Sequence, residues 1–327
     1  MTRVAVISGG VGAARFLRGL LEVVDPASVT AVVNVGDDTV VHGLHVSPDL
    51  DTITYTLADA IDPERGWGLR DESWRAMESV RRYAASAGIA ADAASGNDAA
   101  GWFSLGDQDL GTHLYRTSRR LAGATLTQVT DEIATAWGLG LTVLPVTDDP
   151  VRTVLTTTDG VDLTFQEYFV RERHDVAVRS VRFDGAGHAV ASRPVLDAID
   201  DADVVVIAPS NPVVSIDPVL AVPGVREAVL RRRDRVVAVS PIVGGAALKG
   251  PADRLLRELG HDASAVGVAR WYAPLAATLV IDTVDGGHAA AVEATGMRCV
   301  VTDTVMATPG VGAALASVCL NAAGAST

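Results

Sequence analysis

A glycine-rich turn follows the first apolar segment of the chain and predicts a phosphate site. The apolar segment Val4–Ser8 predicts a buried strand. Three glycines follow it at the start of a predicted helix: Gly9, Gly10 and Gly12. Such a turn leaves backbone N–H groups free at a helix N-terminus, where they bind phosphate. Arg15 stands where the dinucleotide fingerprint needs its third glycine, so the turn favours a nucleotide other than NAD. Close packing of the helix on the strand is the alternative use of these glycines.

Four aspartates follow the second predicted strand: Asp37, Asp38, Asp49 and Asp51. They come after a strand end, and open α/β sheets bind ligands at the carboxyl edge. We expect Asp37 and Asp49 to bind Mg²⁺, a hard cation that takes oxygen ligands in phosphate sites. Capping of a helix that begins near Thr52 is the alternative role of Asp49 or Asp51. A zinc site at His42 and His45 is a further alternative, which the lack of a third nitrogen or sulfur ligand nearby disfavours.

The polar segment Trp102–Thr117 combines aromatic, acidic and basic side chains: Trp102, Phe103, Asp107, Asp109, His113 and Arg116. Adjacent aromatic rings beside polar groups are typical of a wall that contacts a flat, hydroxylated ligand. The alternative is a helix N-terminus that Asp109 caps, with His113 and Arg116 on one helix face.

Two later turns add to the predicted nucleotide site. Ser210 and Asn211 follow the apolar segment Val204–Ala208. Gly244 and Gly245 precede Lys249, which is the only lysine among 27 basic residues. A lysine after a glycine turn is a common phosphate ligand, although an exposed lysine without a role is the alternative.

Short apolar segments alternate with helical patterns along the chain. The predicted strands are Val4–Ser8, Val29–Val35, Leu141–Val146, Val204–Ala208, Arg235–Ser240, Leu279–Asp282 and Cys299–Asp303. The predicted helices of the first half are Ala13–Val24, Asp51–Ala60, Ser73–Ala87, Leu110–Leu121 and Thr130–Trp137. Strands that are apolar on both faces and alternate with helices predict a parallel sheet between helix layers. The expected fold is α/β, a Rossmann-like three-layer fold with helical and strand-rich insertions.

The chain ends form the predicted core, and the middle forms the predicted insertion. Residues 1–54 and 196–327 are expected to build the nucleotide-binding core, and 55–195 to cover the substrate site. The insertion is helical over 55–140 and strand-rich over 150–195, with strands at Thr153–Thr157, Val161–Phe169 and Val176–Phe183. A small-residue loop is expected at Ala90–Ala100.

Composition excludes several classes of protein. The chain has 327 residues, is 48% hydrophobic and 20% charged, and carries a formal net charge of −13. Such a charge argues against non-specific binding to nucleic acid or anionic membranes. Cys299 and Cys319 lack metal-ligand spacing. No apolar run reaches the roughly 18 residues that span a membrane, so we expect a cytoplasmic protein.

These segments together resemble the CofD/FbiA family of 2-phospho-L-lactate transferases, which act in coenzyme F420 biosynthesis. The resemblance extends over nearly the whole chain and is carried by Ser8–Phe16, Asn34–Asp38, Ser47–Ile53, Gly66–Gly68, Trp102–Thr117, Ser210–Pro212 and Pro241–Pro251. The arginine-rich composition is most similar to actinobacterial members.

The resemblance implies a substrate pair and a reaction. Family members transfer a phosphoenolpyruvyl or 2-phospho-L-lactyl group from its guanosine diphosphate conjugate to Fo, a deazaflavin with a ribityl chain. GMP leaves, Mg²⁺ is required, and a guanylyltransferase supplies the donor. By match to the family motifs, Asp37 and Asp49 fall on the acidic positions near metal and Fo, so both are predicted catalytic residues. A homodimer is implied as well.

For this substrate pair, we expect the remaining predicted site residues to bind one substrate or the other. Those expected at Fo are Asp49, Trp102, Phe103, Asp107 and His113. Those expected at the guanosine diphosphate are Gly9, Gly10, Gly12, Ser210, Asn211, Gly244, Gly245 and Lys249. Asp49 or His113 is the expected base, if the reaction needs one.

Two other functions fit parts of the pattern. YvcK-type regulators share the glycine turn and the fold but bind nucleotide sugars, and the segment Trp102–Thr117 favours the transferase over them. An NAD-dependent dehydrogenase is disfavoured by Arg15.

Overall fold

The structure is a computed structural model that describes residues 1–88 and 102–325. The loop expected at Ala90–Ala100 lies outside the described residues. The strands are β1 Val4–Ser8, β2 Val29–Val33, β3 Thr39–Val41, β4 Leu44–Val46, β5 Thr142–Pro145, β6 Arg152–Thr157, β7 Asp162–Thr164, β8 Val178–Asp184, β9 Val204–Ile207, β10 Val236–Val239, β11 Ile242–Val243, β12 Ala246–Ala247, β13 Thr278–Asp282 and β14 Arg298–Thr302.

The helices surround the sheet and connect its strands. They are α1 Gly10–Leu20, α2 Pro48–Leu57, α3 Arg75–Ser86, α4 Asp109–Leu121, α5 Leu126–Ala136, α6 Arg193–Asp200, α7 Asp217–Leu220, α8 Val225–Arg231, α9 Ala252–Glu258, α10 Ala265–Tyr272, α11 Ala289–Glu293 and α12 Val311–Ala322. Among the described residues, no helix is long and apolar enough to cross a membrane.

In the described part of the chain, a seven-stranded parallel sheet forms the centre in the order β14-β13-β10-β9-β1-β2-β5. Its inner strands are fully buried: every residue of β1, β9, β10 and β13 is inaccessible to solvent or nearly so. Val, Ile and Ala dominate these strands because both sheet faces are covered by helices. The predicted three-layer Rossmann-like α/β fold is therefore confirmed.

The sheet reverses its order beside β1. The chain passes from β1 through α1 to β2 on one side, and β9 pairs with β1 on the other. Ligands of open α/β sheets bind at such a switch point, outside the carboxyl ends of the strands. The ends of β1, β2 and β9 therefore frame the candidate site.

The middle of the chain adds elements over this edge. Helices α3 and α4 and the hairpin β3–β4 pack together around a small core that includes Val41, Met77 and Leu105. Strands β6, β7 and β8 form a separate antiparallel sheet. Strand β5, between these two parts, pairs with β2 and belongs to the central sheet.

One predicted strand was wrong over half of its length. Val161–Phe169 was expected to be extended, but the strand ends at Thr164 and a π-helical turn occupies Glu167–Arg171. In the sequence, the apolar residues of this segment also fit a strand. In the structure, Phe165 and Phe169 lie one turn apart and stack with ring centroids 5.4 Å apart. Wide turns of this kind are frequent at functional sites.

Candidate active site

The glycine turn and the Ser210 turn meet at the switch point. Gly9 is the N-cap residue of α1 and has no side chain to satisfy the first amides of the helix. The Ser210 hydroxyl donates a hydrogen bond of 2.6 Å to the Gly9 carbonyl, which ties the end of β9 to the end of β1. A Cβ at Gly12 would overlap the Pro209 carbonyl oxygen, so Gly12 is needed for close packing. The first amides of α1 stay the predicted phosphate-binding feature, although the Gly10 amide donates to the Asp49 carboxylate in this structure.

Asp49 lies in the first turn of α2 and faces the start of α1. It is 6% exposed, and its Oδ2 accepts a hydrogen bond of 2.9 Å from Asn34. A Cβ at Gly9 would lie 2.9 Å from the same oxygen, so the glycine admits the carboxylate. Burial raises the pKa of Asp49 to about 6, although Asn34 and the Gly10 amide act to lower it.

Two further carboxyl groups follow β2 and stand next to Asp49. Burial and the charge of Asp49 raise the pKa of Asp37 well above its usual range. Burial also raises the pKa of Asp38 to about 8, against a hydrogen bond of 2.7 Å that Ser47 donates to its Oδ2. The Oδ1 atoms of Asp37 and Asp38 are buried, and neither has a hydrogen-bond partner among the described residues.

We call this group of carboxyl groups the open cluster. Asp37 and Asp49 are 5% and 6% exposed, Asp38 is half-buried, and one oxygen each of Asp37 and Asp38 is buried without a donor among the described residues. Carboxylates in this state either hold protons or bind a cation. Their oxygens do not meet as a set of three within 4.8 Å, a condition that Asp51, Asp109 and His113 alone fulfil in the described part of the chain.

A second acidic group, the paired cluster, lies between α2 and α4. The Arg116 guanidinium contacts both oxygens of Asp51, with Nη1 3.2 Å from Oδ2. Tyr55 donates a hydrogen bond of 2.7 Å to Asp109. Burial alone would raise the pKa of Asp109, but His113 and Tyr55 hold it below its usual range. Each acid therefore has a partner, and Arg116 and His113 are only 2% and 1% exposed.

The His113 ring lies between Arg116 and Asp109. Arg116 Nη1 lies 3.3 Å from His113 Nδ1, and a guanidinium can only donate. Nε2 lies 3.2 Å from Asp109 Oδ2, but the contact is outside hydrogen-bond geometry. Both ring nitrogens therefore face protein groups.

Ligand atoms of Asp51, Asp109 and His113 lie within 4.8 Å of one another, as in a metal site. Arg116 already neutralises Asp51, however, and its charge repels a cation. In the described part of the chain this group includes neither His42 nor His45, so the zinc alternative has no support here. Asp51 was also considered as a helix cap; that interpretation was wrong, because α2 begins at Pro48, four residues before the expected Thr52.

The aromatic residues of the predicted Fo wall lie between α3 and the strand-rich part. Trp102 and Phe103 are half-buried and pack edge to face at 5.7 Å. The Arg171 guanidinium lies over the Trp102 ring at 5.9 Å. Gln166, in the same turn, donates a hydrogen bond of 3.3 Å to the Asp37 carbonyl. This π-helical turn thus links the open cluster to Trp102, and its residues were missed because the sequence predicted a strand there.

Asp107 precedes α4 in sequence, but its side chain caps the start of α3. Its carboxylate accepts hydrogen bonds from the amides of Arg75 and Ala76 at 3.1 and 3.0 Å and from Ser73 at 2.6 Å. Glu72 caps α4 in return, accepting from the amide of Asp109 at 2.8 Å. Sequence reasoning missed Glu72; its spacing from Asp107 carries no recognisable motif.

The remaining predicted nucleotide residues lie on the other side of β1. Asn211 caps the π-helical turn Pro212–Ile216 through a hydrogen bond of 3.0 Å from the Val213 amide. Gly244 and Gly245 form the turn between β11 and β12, with φ of 58° and 80°. The exposed Lys249 follows this hairpin.

Lys249 also approaches the insertion. A Cβ at Gly66 would lie 2.5 Å from its Nζ, so the ammonium group rests against the segment Gly66–Gly68. Two segments that carry the family resemblance, distant in sequence, are therefore in contact.

Comparison with known proteins places the chain in a family. The model of the family described as 2-phospho-L-lactate transferase CofD matches residues 4–316. The phosphoenolpyruvate transferase of Mycobacterium tuberculosis is 42% identical over 308 residues, 88% of this chain and 89% of that protein. The Streptomyces griseus protein of the same name is 43% identical over 301 residues, which are 91% of this chain and 91% of that protein.

Solved structures agree on the fold. A Bacillus halodurans protein of the UPF0052 family superposes with a TM-score of 0.61 at 18% identity, covering 98% of both chains. With the match over residues 4–316 and relatives above 40% identity, the chain belongs to the CofD family.

Proposed function

We propose that this protein is a transferase of coenzyme F420 biosynthesis. It moves a phosphoenolpyruvyl group, or a 2-phospho-L-lactyl group, from its guanosine diphosphate conjugate to the ribityl hydroxyl of Fo. The products are dehydro-F420-0, or F420-0, and GMP. Relatives named phosphoenolpyruvate transferase favour the enolpyruvyl donor.

In this proposal the transfer is a displacement at phosphorus. The Fo hydroxyl oxygen forms a bond to the phosphorus that bears the acid ester, and the phosphoanhydride bond to that phosphorus breaks. GMP leaves with the bridging oxygen, and the hydroxyl proton passes to a base. Such transfers depend on position and charge neutralisation more than on covalent catalysis.

Asp37 and Asp49 are the proposed ligands of Mg²⁺. The ion would neutralise the phosphoryl oxygens and lower the pKa of the attacking hydroxyl. The buried Oδ1 of Asp37, which has no partner among the described residues, supports this role. Asn34 orients Asp49 through the hydrogen bond of 2.9 Å to Oδ2.

Asp49 is also the proposed acceptor of the hydroxyl proton. The basis of this role is the place of Asp49, because the pKa of about 6 belongs to the metal-free protein and a bound cation would lower it. Its position against Gly9 and Gly10 sets it beside the amides that would hold the donor phosphates.

The two substrates then occupy opposite sides of the open cluster. The donor would lie along the Gly9 turn, Ser210 and the β11–β12 hairpin with Lys249. The ring of Fo would lie against Trp102 and Phe103. Asp107 and His113 would act here by holding α3 and α4 in place, since their polar atoms face protein groups.

The observation that carries the proposal is the open cluster itself. Three carboxyl groups with raised pKa values lie beside the start of α1 at the switch point of a CofD-family fold.

Product analysis tests the proposal. The protein is incubated with Fo, GTP, Mg²⁺, the guanylyltransferase and either phosphoenolpyruvate or 2-phospho-L-lactate, and the product is identified by mass spectrometry. We expect GMP and the corresponding F420 precursor, with less or none when Mg²⁺ is chelated. Binding of nucleotide sugars with no product from either acid would instead support a YvcK-type regulator. Sedimentation of the same sample tests the expected homodimer.

A further inference from the structure

The loop that carries Asp37 is held from outside by the strand-rich part of the insertion. The Thr153 amide in β6 donates a hydrogen bond of 2.7 Å to the Gly36 carbonyl. β6 approaches so closely that a Cβ at Gly36 would lie 2.6 Å from Thr153 Oγ1. The Gln166 side chain donates a hydrogen bond of 3.3 Å to the carbonyl of Asp37 itself. Because Gln166 is only 7% exposed, this contact is shielded from water and fixes the backbone of the acid.

Groups within the loop complete this support. Asn34 Oδ1 accepts a hydrogen bond of 2.7 Å from the Gly36 amide, and the Asp38 amide donates one of 3.1 Å to the Val35 carbonyl. Among the described residues, the buried Oδ1 of the Asp37 carboxyl group has no partner. The backbone around Asp37 is therefore fixed, and one carboxyl oxygen is left for a ligand.

The π-helical turn that follows Gln166 is held at its far end. The Arg171 guanidinium forms ion pairs with Glu167 and Glu172 at 2.9 and 2.8 Å. The same guanidinium lies over the Trp102 ring at 5.9 Å. The turn therefore extends from the open cluster to the predicted Fo wall, and protein contacts hold both of its ends.

The backbone after the turn is strained. Arg173 and His174 have left-handed φ angles of 49° and 46°. Non-glycine residues keep such angles where the surrounding structure enforces them, and these residues are frequent at functional sites. The His174 amide donates a hydrogen bond of 2.8 Å to the Tyr168 carbonyl, which closes the segment back onto the turn. Gln166 thus projects from a rigid support.

We propose that Gln166 is a positioning residue for the transfer reaction. It fixes the main chain of Asp37, and with it the place of the Asp37 carboxyl group relative to the predicted Fo wall. Gln166 acts through Asp37 and not on a substrate. This inference rests on the proposed function, because that function makes Asp37 a ligand of Mg²⁺. Partners that orient a metal ligand contribute about 10- to 100-fold to metal affinity or activity.

A neutral donor suits this position. A Lys or Arg side chain could donate to the same carbonyl, but its positive charge would repel a cation at Asp37 and Asp49. An ionised Asp or Glu has no proton to donate and would add to the crowded negative charge. The Gln166 amide supplies the hydrogen bond without changing the charge of the open cluster.

Gln166→Met tests the role of this hydrogen bond. Met has nearly the size of Gln but no donor, so the Asp37 carbonyl loses its partner while the packing is kept. We expect kcat to fall about 10-fold or more, with little change in the KM for Fo, because the ring is proposed to bind at Trp102. Calorimetry with Mg²⁺ alone, without substrates, should show an affinity about 10-fold weaker.

Gln166→Ala separates the loss of the donor from the loss of packing. The space that it leaves admits water, which can donate to the Asp37 carbonyl, so this variant should keep more activity and Mg²⁺ affinity than Gln166→Met. A residue that only packs would give the reverse order, because Ala removes more contacts than Met. Gln108→Met is the matched control: it removes a side-chain amide that donates to the Arg70 carbonyl at 3.3 Å, and it should change neither quantity.

Two results would overturn the inference. One is a Gln166→Met variant with the kcat and the Mg²⁺ affinity of the unaltered protein. The other is a greater loss in Gln166→Ala than in Gln166→Met, which would mean that Gln166 only fills space. If the unaltered protein itself binds no Mg²⁺ or forms no product, the proposed function fails, and this outcome is distinguishable because it appears before any substitution.

Discussion

Two acidic clusters share helix α2 and differ in what neutralises them. Asp49 belongs to the open cluster, and Asp51, two residues later, belongs to the paired cluster. The Asp51 carboxylate meets the Arg116 guanidinium at both oxygens. Asp49 accepts hydrogen bonds from the Asn34 amide and the Gly10 amide, and no cation is among its partners in the described part of the chain.

This difference distinguishes a cluster suited to catalysis from a cluster that stabilises the fold. In the paired cluster each carboxylate has a partner within the protein, Arg116 for Asp51 and Tyr55 for Asp109, so the group holds α2 against α4. In the open cluster burial raises the pKa values of Asp37, Asp38 and Asp49, and the hydrogen bonds from Asn34 and Ser47 and the charge of Arg116 near Asp38 only partly oppose it. Such imbalance is common at functional sites, where a substrate or metal completes the balance.

The largest effect should come from the open cluster. Asp49→Asn removes a proposed metal ligand and proton acceptor, so we expect transfer to fall at least about 1,000-fold. The fold should survive, because Asn is isosteric and removes a buried charge. Product formation and thermal unfolding measure the two effects.

The control for Asp49→Asn is Asp217→Asn. Asp217 is half-buried with its pKa likewise raised to about 6, but its carboxylate accepts a hydrogen bond from Trp271 and faces Arg226. Activity should remain there. If Asp49→Asn transferred the group at the wild-type rate, Asp49 would have no role in the mechanism. The two clusters would then not differ in function.

Breaking the ion pair of the paired cluster should lower the free energy of unfolding. Arg116→Met leaves Asp51 buried without its partner, and breaking a buried ion pair in this way costs about 3–5 kcal/mol. Urea unfolding measures the loss. Replacing both partners, as in Asp51→Leu with Arg116→Met, should recover most of it, because two apolar groups can pack there.

Arg193→Met is the matched control for the Arg116 substitution. Its ion pair with Asp197 lies on the surface, with the arginine side chain 85% exposed, so little stability should change. If Arg116→Met were as stable as Arg193→Met, the paired cluster would not be a structural support.

The alternation of apolar segments was sufficient to predict the fold. All seven strands of the central sheet coincide with predicted strands. The inner strands are apolar because both faces are covered, whereas the edge strand β14 carries Arg298 and Thr302 and is partly exposed. Helix starts were less certain: α1 begins at Gly10 instead of Ala13, since glycine is an uncommon first residue. The π-helical turn at Glu167–Arg171 was missed, since its apolar pattern also fits a strand.

The residue types of the site could be predicted from the sequence, but which side chains form ion pairs or hydrogen bonds with one another could not. Four aspartates after one strand indicated a cation site, yet nothing in their spacing showed that Arg116, 65 residues after Asp51, neutralises one of them. Likewise, Asp107 was predicted to face a ligand and instead caps α3, because long-range backbone contacts decide where such a side chain turns.

The smallest expected effect is a pH dependence that belongs to the open cluster. In the folded protein without metal, burial raises the pKa of Asp38 to about 8, and Asp49 and Asp51 add to the shift while Ser47 and Arg116 oppose it. Between pH 4 and 8 the folded state therefore holds a proton that the unfolded chain releases. Stability must then fall as pH rises, by about 2 kcal/mol between pH 6 and pH 8 for this group.

Added Mg²⁺ should remove this decline, because a cation balances the ionised carboxylates in place of protons. Urea unfolding at pH 6 and pH 8, with Mg²⁺ and with a chelator, measures it. Asp38→Asn should flatten the profile in the chelator, whereas Asp107→Asn, an acid whose hydrogen bonds lower its pKa, should leave it unchanged. A profile without metal that rises between pH 6 and pH 8 would show that the open cluster is ionised and balanced from within, as the paired cluster is.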